Sequence, residues 1–239
     1  MTSRGDMDRL QSANDRLVAM ALRDMKALLE VLNPSTPGEL RDALLELAPA
    51  LVREYGDVAA AASAEWFEEV RPMGGFSAVA AAGTDPEAVA GSVKALFKED
   101  PAQVVEALSG AIQRHILYSS RATIARNVEL DPAKPRFARV PSGRETCAWC
   151  DMLASRGWVY HSRETAGDRG FKQFHDNDDC MIVPQWDQDT AHIEGYDPDA
   201  MYDRYMAARA SLEAEGRVVD DAAVAVRMGQ LFPDSYPAH

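Results

Sequence analysis

Nowhere does the chain contain a run of about 18 apolar residues, the minimum for a membrane-crossing helix. The stretch from Met1 to Asp8 has no apolar segment after its arginine, so it does not read as an export signal. Basic residues are in deficit: 25 Lys and Arg stand against 38 Asp and Glu, a formal net charge of −13. That balance excludes a general nucleic-acid coat, because neutralising phosphates takes a surplus of cations. Cysteine is scarce too, with only three in 239 residues, all in the second half. These absences predict a protein that folds in a cytoplasm with no membrane partner. There, clustered cysteines serve as metal ligands more readily than as disulfides.

What is present is ordinary globular material, 46% hydrophobic and 26% charged, long enough for one large domain or two modest ones. The pattern predicts a predominantly helical α+β fold in three parts: a helical domain over 1–130, a small Cys/His α+β module over 131–190, and a helical segment over 191–239. Leu10, Leu17, Ala21, Leu28 and Leu32 recur at helical spacing until Asn33-Pro34 stops the helix. Thr36-Pro37-Gly38-Glu39 is a capping box with proline at the first helical position, so a second helix starts there and runs to about Trp66-Phe67. Gly56 is a place where it can break or bend. Further helix starts are read at Asp85-Pro86, Asp100-Pro101, Asp197-Pro198 and Asp220. Val104, Leu108, Ile112, Ile116 and Ile124 share one face of the helix that begins after Asp100-Pro101. Phe137–Val140, Trp158–Tyr160 and Met181–Val183 read as short strands.

The stretch from Arg121 to Arg144 is locally basic, with Arg121, Arg126, Lys134, Arg136, Arg139 and Arg144 against Glu129 and Asp131. It reads foremost as a solvated connector, with contact to DNA or to an acidic partner as the rival. In a nucleic-acid reading Trp149, Trp158 and Tyr160 would stack on bases.

Cys147 and Cys150 have the two-residue gap that turns both thiolates toward one ion, and His175 and Cys180 come about one small module later. Four soft or borderline ligands around a small, loop-rich module point to a structural zinc, which leaves no position open for substrate. Two other readings stand beside it: a redox pair, and three plain core cysteines next to an unrelated histidine. His161 and the carboxylates Asp176, Asp178 and Asp179 compete for the fourth ligand position.

At these residues the chain resembles a known family. Val140-Pro-Ser-Gly-Arg-Glu-Thr-Cys-Ala-Trp-Cys150, Met152-Leu-Ala-Ser-Arg-Gly157, Phe174-His175 and Cys180-Met-Ile-Val-Pro184 are similar to the Mu F-like minor head proteins of tailed bacteriophages. The likeness is closer to versions from phages of actinobacteria, often labelled capsid maturation protease. Tyr55-Gly-Asp-Val-Ala-Ala-Ala-Ala-Ser-Ala-Glu-Trp-Phe67 resembles the helical half of that group, so the likeness spans roughly 40–190. One departure matters: where the family has Cys-x-Cys after the histidine, this chain has Asp178 at the first cysteine position. The metal set implied is therefore Cys147, Cys150, Cys180 and His175, with Asp178 as the alternative ligand.

The resemblance implies a head-morphogenesis protein in the capsid interior of the virion and, during assembly, in the host cytoplasm. The partners implied are the portal, scaffold or major capsid protein, with possible contact to packaged DNA. A protease is the enzymatic alternative, with Ser162 or Ser155 as nucleophile, His161, His175 or His115 as base, and Asp168 or Asp176 as orienter. His161 and Ser162 are adjacent, which points them to opposite faces of a strand. No Gly-x-Ser-x-Gly or His-Glu-x-x-His motif is present. The sequence therefore favours binding over turnover.

Overall fold

The computed structural model describes residues 2–99, 103–142, 146–162, 180–187 and 192–236. Its described residues form seven α-helices and one two-stranded antiparallel sheet, as the sequence pattern predicts for a predominantly helical α+β chain. α1 (Arg4–Leu32) ends at Asn33, which adopts the left-handed conformation (φ 47°) and donates its N–H to Leu29 O. α2 (Pro37–Val70) opens on the expected capping box: the Thr36 side chain accepts from Glu39 N–H, and the Glu39 carboxylate accepts from Thr36 N–H. α3 (Pro86–Glu99) and α4 (Val104–Leu130) complete the helical half. Gln103 occupies the cap position of α4, three residues after the cap expected at Asp100-Pro101, and residues 100–102 lie outside those described.

α2 packs chiefly against α4, and the reason lies in small residues. α2 runs unbroken through Gly56, which is buried where a side chain would collide with α4: a Cβ there would sit 2.7 Å from Ser119 Oγ. Gly56 thus serves close approach and does not bend the helix. Leu44, Leu51, Val52, Tyr55, Leu108, Ile112 and Ile116 fill the space between α2 and α4 with one apolar cluster, which α1 and α3 close with Val18, Met25, Val89 and Val93.

A second cluster fastens the helical half to the sheet. β1 (Arg136–Pro141) and β2 (Cys180–Gln185) pair antiparallel, with Arg136 opposite Gln185 and Pro141 opposite Cys180. Every residue of β2 is buried. Phe137, Val140, Ile182 and Val183 share one apolar cluster with Trp66, Phe67, Ile124 and Val128, and α4 is the long helix that lies most closely against the sheet. Trp158–Tyr160 contributes one bridge, Phe137 to Tyr160, in place of the short strand expected. Side chains decide this: Trp158 and Tyr160 are both buried, and the Trp158 ring meets Tyr196 edge-on at 5.1 Å. A third cluster joins α5 (Ala148–Ala154) to α6 (Pro198–Ala214) and α7 (Asp221–Leu231) through Met152, Leu153, Ala208, Leu212, Val224 and Met228.

The basic stretch is not a solvated connector. Arg121 is 4% exposed and donates from Nε to Cys180 O at 3.0 Å, and Arg139 on β1 is 1% exposed. Burial takes Arg121, Arg139, Trp158 and Tyr160 out of the surface that the DNA-contact reading relied on, while Arg126 and Lys134 stay exposed and Arg136 and Trp149 are half-buried.

Candidate metal centre

Cys147 stands at the N-cap of α5 in extended backbone (φ −74°, ψ 158°), and its sulfur accepts from Cys150 N–H at 3.3 Å. The two-residue gap therefore places both cysteines on one helical turn, one as cap and one on the helix. Cys147 is half-buried and Cys150 is 1% exposed. Cys180 opens β2 opposite Pro141 and is 1% exposed. All three are thiols outside any disulfide, and all three belong to the same apolar cluster.

The next residue along α5, Asp151, fixes the orientation of this turn. Its carboxylate is buried and accepts two hydrogen bonds from Arg204 of α6, each 2.9 Å, and one from Tyr236 OH at 2.6 Å. Burial, then the bond to Asp151, raises the Tyr236 hydroxyl above its usual range. The Asp151 bond is also what holds the Arg204 guanidinium charged more firmly than usual. Tyr196 OH donates to Ala154 O at 2.7 Å at the other end of α5, and burial pushes that hydroxyl far up. The cysteine turn is held by a polar frame that sequence reading missed. Asp151 carries a local signal, a carboxylate directly after Cys150, but its partners are 53 and 85 residues away.

The donor chemistry fits zinc in part. Cys147, Cys150 and Cys180 are soft ligands sharing one dry cluster, where an ion would neutralise thiolates that burial otherwise disfavours. Among the described residues, however, the set of three ligand-type atoms within 4.8 Å of one another is His192, Asp197 and Asp199, all exposed; the three sulfurs are not drawn in to that spacing. His175 and Asp178, the other predicted ligands, lie outside the described residues.

The protease candidates are dispersed. Ser155 caps the end of α5, and its hydroxyl donates to Met152 O at 2.7 Å in a buried position. His161 and Ser162 come after Tyr160 in a bend, His161 exposed and Ser162 half-buried. His115 lies on α4 in the helical half, where its Nε2 is 3.0 Å from Ser92 Oγ of α3, a pairing the sequence did not suggest. Asp168 and Asp176 lie outside the described residues.

Residues 1–208 match the model of the VG15 protein family. The chain belongs to that family. Two curated relatives are the Gene 15 proteins of Mycobacterium phage L5, 30% identical, and Mycobacterium phage D29, 33% identical. Each alignment covers 37% of this chain and 43% of the relative, so the chain spans less than half the length of the curated relatives it matches. No solved structure matches it. The VG15 chain is thus a bacteriophage-type protein, in keeping with the phage part of the resemblance. Among its described residues no helix is long and apolar enough to cross a membrane.

Proposed function

We propose that this chain is a phage minor head protein that acts in procapsid assembly by binding neighbouring head proteins, portal, scaffold or major capsid protein among them, and travels in the capsid interior. The observation that carries this reading is the use made of the motif residues. Val140, Cys150, Cys180, Met181, Ile182 and Val183 are core side chains, packed with α2 and α4 into one unit. Buried thiols held in a polar frame serve shape, whereas a reactive thiol needs access and an electropositive setting. Zinc on Cys147, Cys150 and Cys180, with His175 or Asp178 as fourth ligand, belongs to this reading as a structural clip that joins the α5 turn to β2.

Co-expression of the chain with its portal, scaffold and major capsid proteins tests the proposal. The chain is expected to sediment with assembled heads, and heads formed without it are expected to be fewer or misshapen. A chain that stays in the supernatant while heads assemble normally would sink the reading.

Proteolysis is the second reading, and one observation favours it: Ser92 Oγ and His115 Nε2 stand at the distance of a hydroxyl–imidazole pair, with Arg114 Nη2 at 3.2 Å from the same hydroxyl. Under the binding reading, Ser92→Ala, Ser162→Ala, His161→Ala and His175→Ala all leave the cleavage pattern of the head proteins unchanged. Loss of a specific cleavage in any of them would establish the enzyme instead.

A further inference from the structure

Among the described residues, one end of the helical half is uncovered. Val31 is 82% exposed and Leu32 55% exposed on the last turn of α1. Across the 33–36 turn, the first turn of α2 and the second half of α3 enclose an open groove of about 430 Å³ lined by Pro37, Gly38, Arg41, Lys94, Phe97 and Lys98. Phe97 packs against the helical core and is a fixed wall of the groove. The lining is mainly apolar, and its charged members are all cations. Arg41 pairs with its neighbour Asp42 at 2.9 Å, while Lys94 and Lys98 are exposed and make no ion pair among the described residues. In a chain of net charge −13, a rim of three cations with no carboxylate among the described lining residues runs against the surrounding charge.

We propose that this groove docks an acidic segment of a partner protein that carries a large apolar residue. The apolar side chain seats on Phe97 and Pro37, and the carboxylates of the segment meet Lys94 and Lys98. Charge complementarity steers the encounter and sets the register, and the apolar anchor supplies the affinity. Duplex DNA would use the cations alone and gain nothing from an apolar floor, so the lining favours protein. This deepens the binding role proposed above and rests on it.

The probe is a labelled helical peptide rich in Glu, with Leu at alternating third and fourth positions, titrated with the full chain and read by fluorescence anisotropy. Binding that weakens on adding salt, and falls by roughly tenfold or more in the Lys94→Glu/Lys98→Glu double variant, is the expected result. Both lysines are exposed, so this variant keeps the fold; Phe97→Ala, checked for intact helicity, reads the apolar contribution. A Lys-for-Glu version of the peptide should not bind. The proposal is overturned by no binding, by binding indifferent to both variants, or by an oligonucleotide of equal charge competing equally well. Incorporation into co-expressed heads is scored separately for the double variant. If wild-type chain enters heads and the double variant enters equally well, the groove proposal fails while the assembly reading stands. If wild-type chain does not enter heads at all, the assembly reading itself fails.

Discussion

The Arg71 guanidinium donates from Nε and Nη2 to the two oxygens of the Asp131 carboxylate, at 2.8 and 2.9 Å, and the side chains are 6% and 0% exposed. These residues cap the C-termini of α2 and α4, so one bidentate pair ties the ends of the two principal helices. Trp186 Nε1 and Ala133 N–H also donate to the same carboxylate, joining the exit of β2 to this point. Removing one partner strands a buried charge, so Arg71→Ala should cost about 3–5 kcal/mol in a denaturant titration. Exchange of both residues for apolar ones should cost less than the single change. A single variant within about 0.5 kcal/mol of wild type would contradict this picture.

Acid should release the same joint. Burial works to raise the Asp131 carboxyl, but the hydrogen bonds from Arg71, Ala133 N–H and Trp186, with the Arg71 charge, outweigh it and hold the group below its usual value. An unfolded chain restores a pKa of about 3.9, so the unfolded state takes up the proton first as pH falls. The stability owed to Asp131 is complete above about pH 5 and is lost progressively below about pH 4. Asp131→Asn should flatten the stability profile in that window and leave its shape near neutrality unchanged.

Gly56 and Ser119 invite a double-mutant cycle. Gly56→Ala gains up to about 1 kcal/mol of helix propensity. The new methyl group, however, meets Ser119 Oγ, which is itself confined on its other side 3.0 Å from where a Cβ on Gly83 would lie. The net result should be a loss of about 1–3 kcal/mol. Among the described residues Ser119 Oγ is buried with no hydrogen-bond partner, so Ser119→Ala alone should be neutral or stabilising. In the Ser119→Ala background, Gly56→Ala should stabilise, and the thermal midpoints of the four proteins read the coupling directly.

If zinc is the clip, purified chain should carry about one equivalent, and chelation should lower its thermal midpoint. Cys147→Ser and Cys180→Ser should each lose the metal by elemental analysis. Metal-free wild-type protein with the same midpoint as Cys147→Ser would remove zinc and leave the cysteines as small core residues.

Asp151 makes a separate prediction about the same turn. Asp151→Ala should destabilise by about 3–5 kcal/mol because Arg204 loses a buried partner, and Tyr236→Phe should cost about 1.5–3 kcal/mol for one bond to a charged acceptor. The α5–α6–α7 cluster should loosen first, seen as faster amide exchange in Met152 and Leu212 than in Ile112.

Features set by nearest neighbours were readable in advance. The Thr36–Glu39 box and the caps at Asp197 and Asp220 appear where their side chains put them, because a cap needs only the next three residues. The apolar faces of α2 and α4 were legible for the same reason. Periodicity says which face is apolar but not whether anything covers it: Leu28 and Leu32 fit the α1 pattern, yet they are 39% and 55% exposed. Around the cysteines, the Cys147–Cys150 turn was legible, while the Asp151–Arg204–Tyr236 frame and the Ser92–His115 pair were not. Those contacts depend on which distant helix arrives, and no local pattern encodes that arrival.

Thr2 is fully buried, and its hydroxyl donates to Pro184 O across 182 residues of sequence, while Arg4 Nε donates to Glu194 O. During synthesis, the start of α1 can dock early on α2, where Trp66 Nε1 donates to Asp6 O. Thr2 and Arg4, however, gain these two partners only after the chain past residue 194 has emerged from the ribosome. The four-helix half can collapse early on its own apolar cluster, while the contacts of its leading residues to Pro184 and Glu194 close only once β2 and the segment around Glu194 have folded against it.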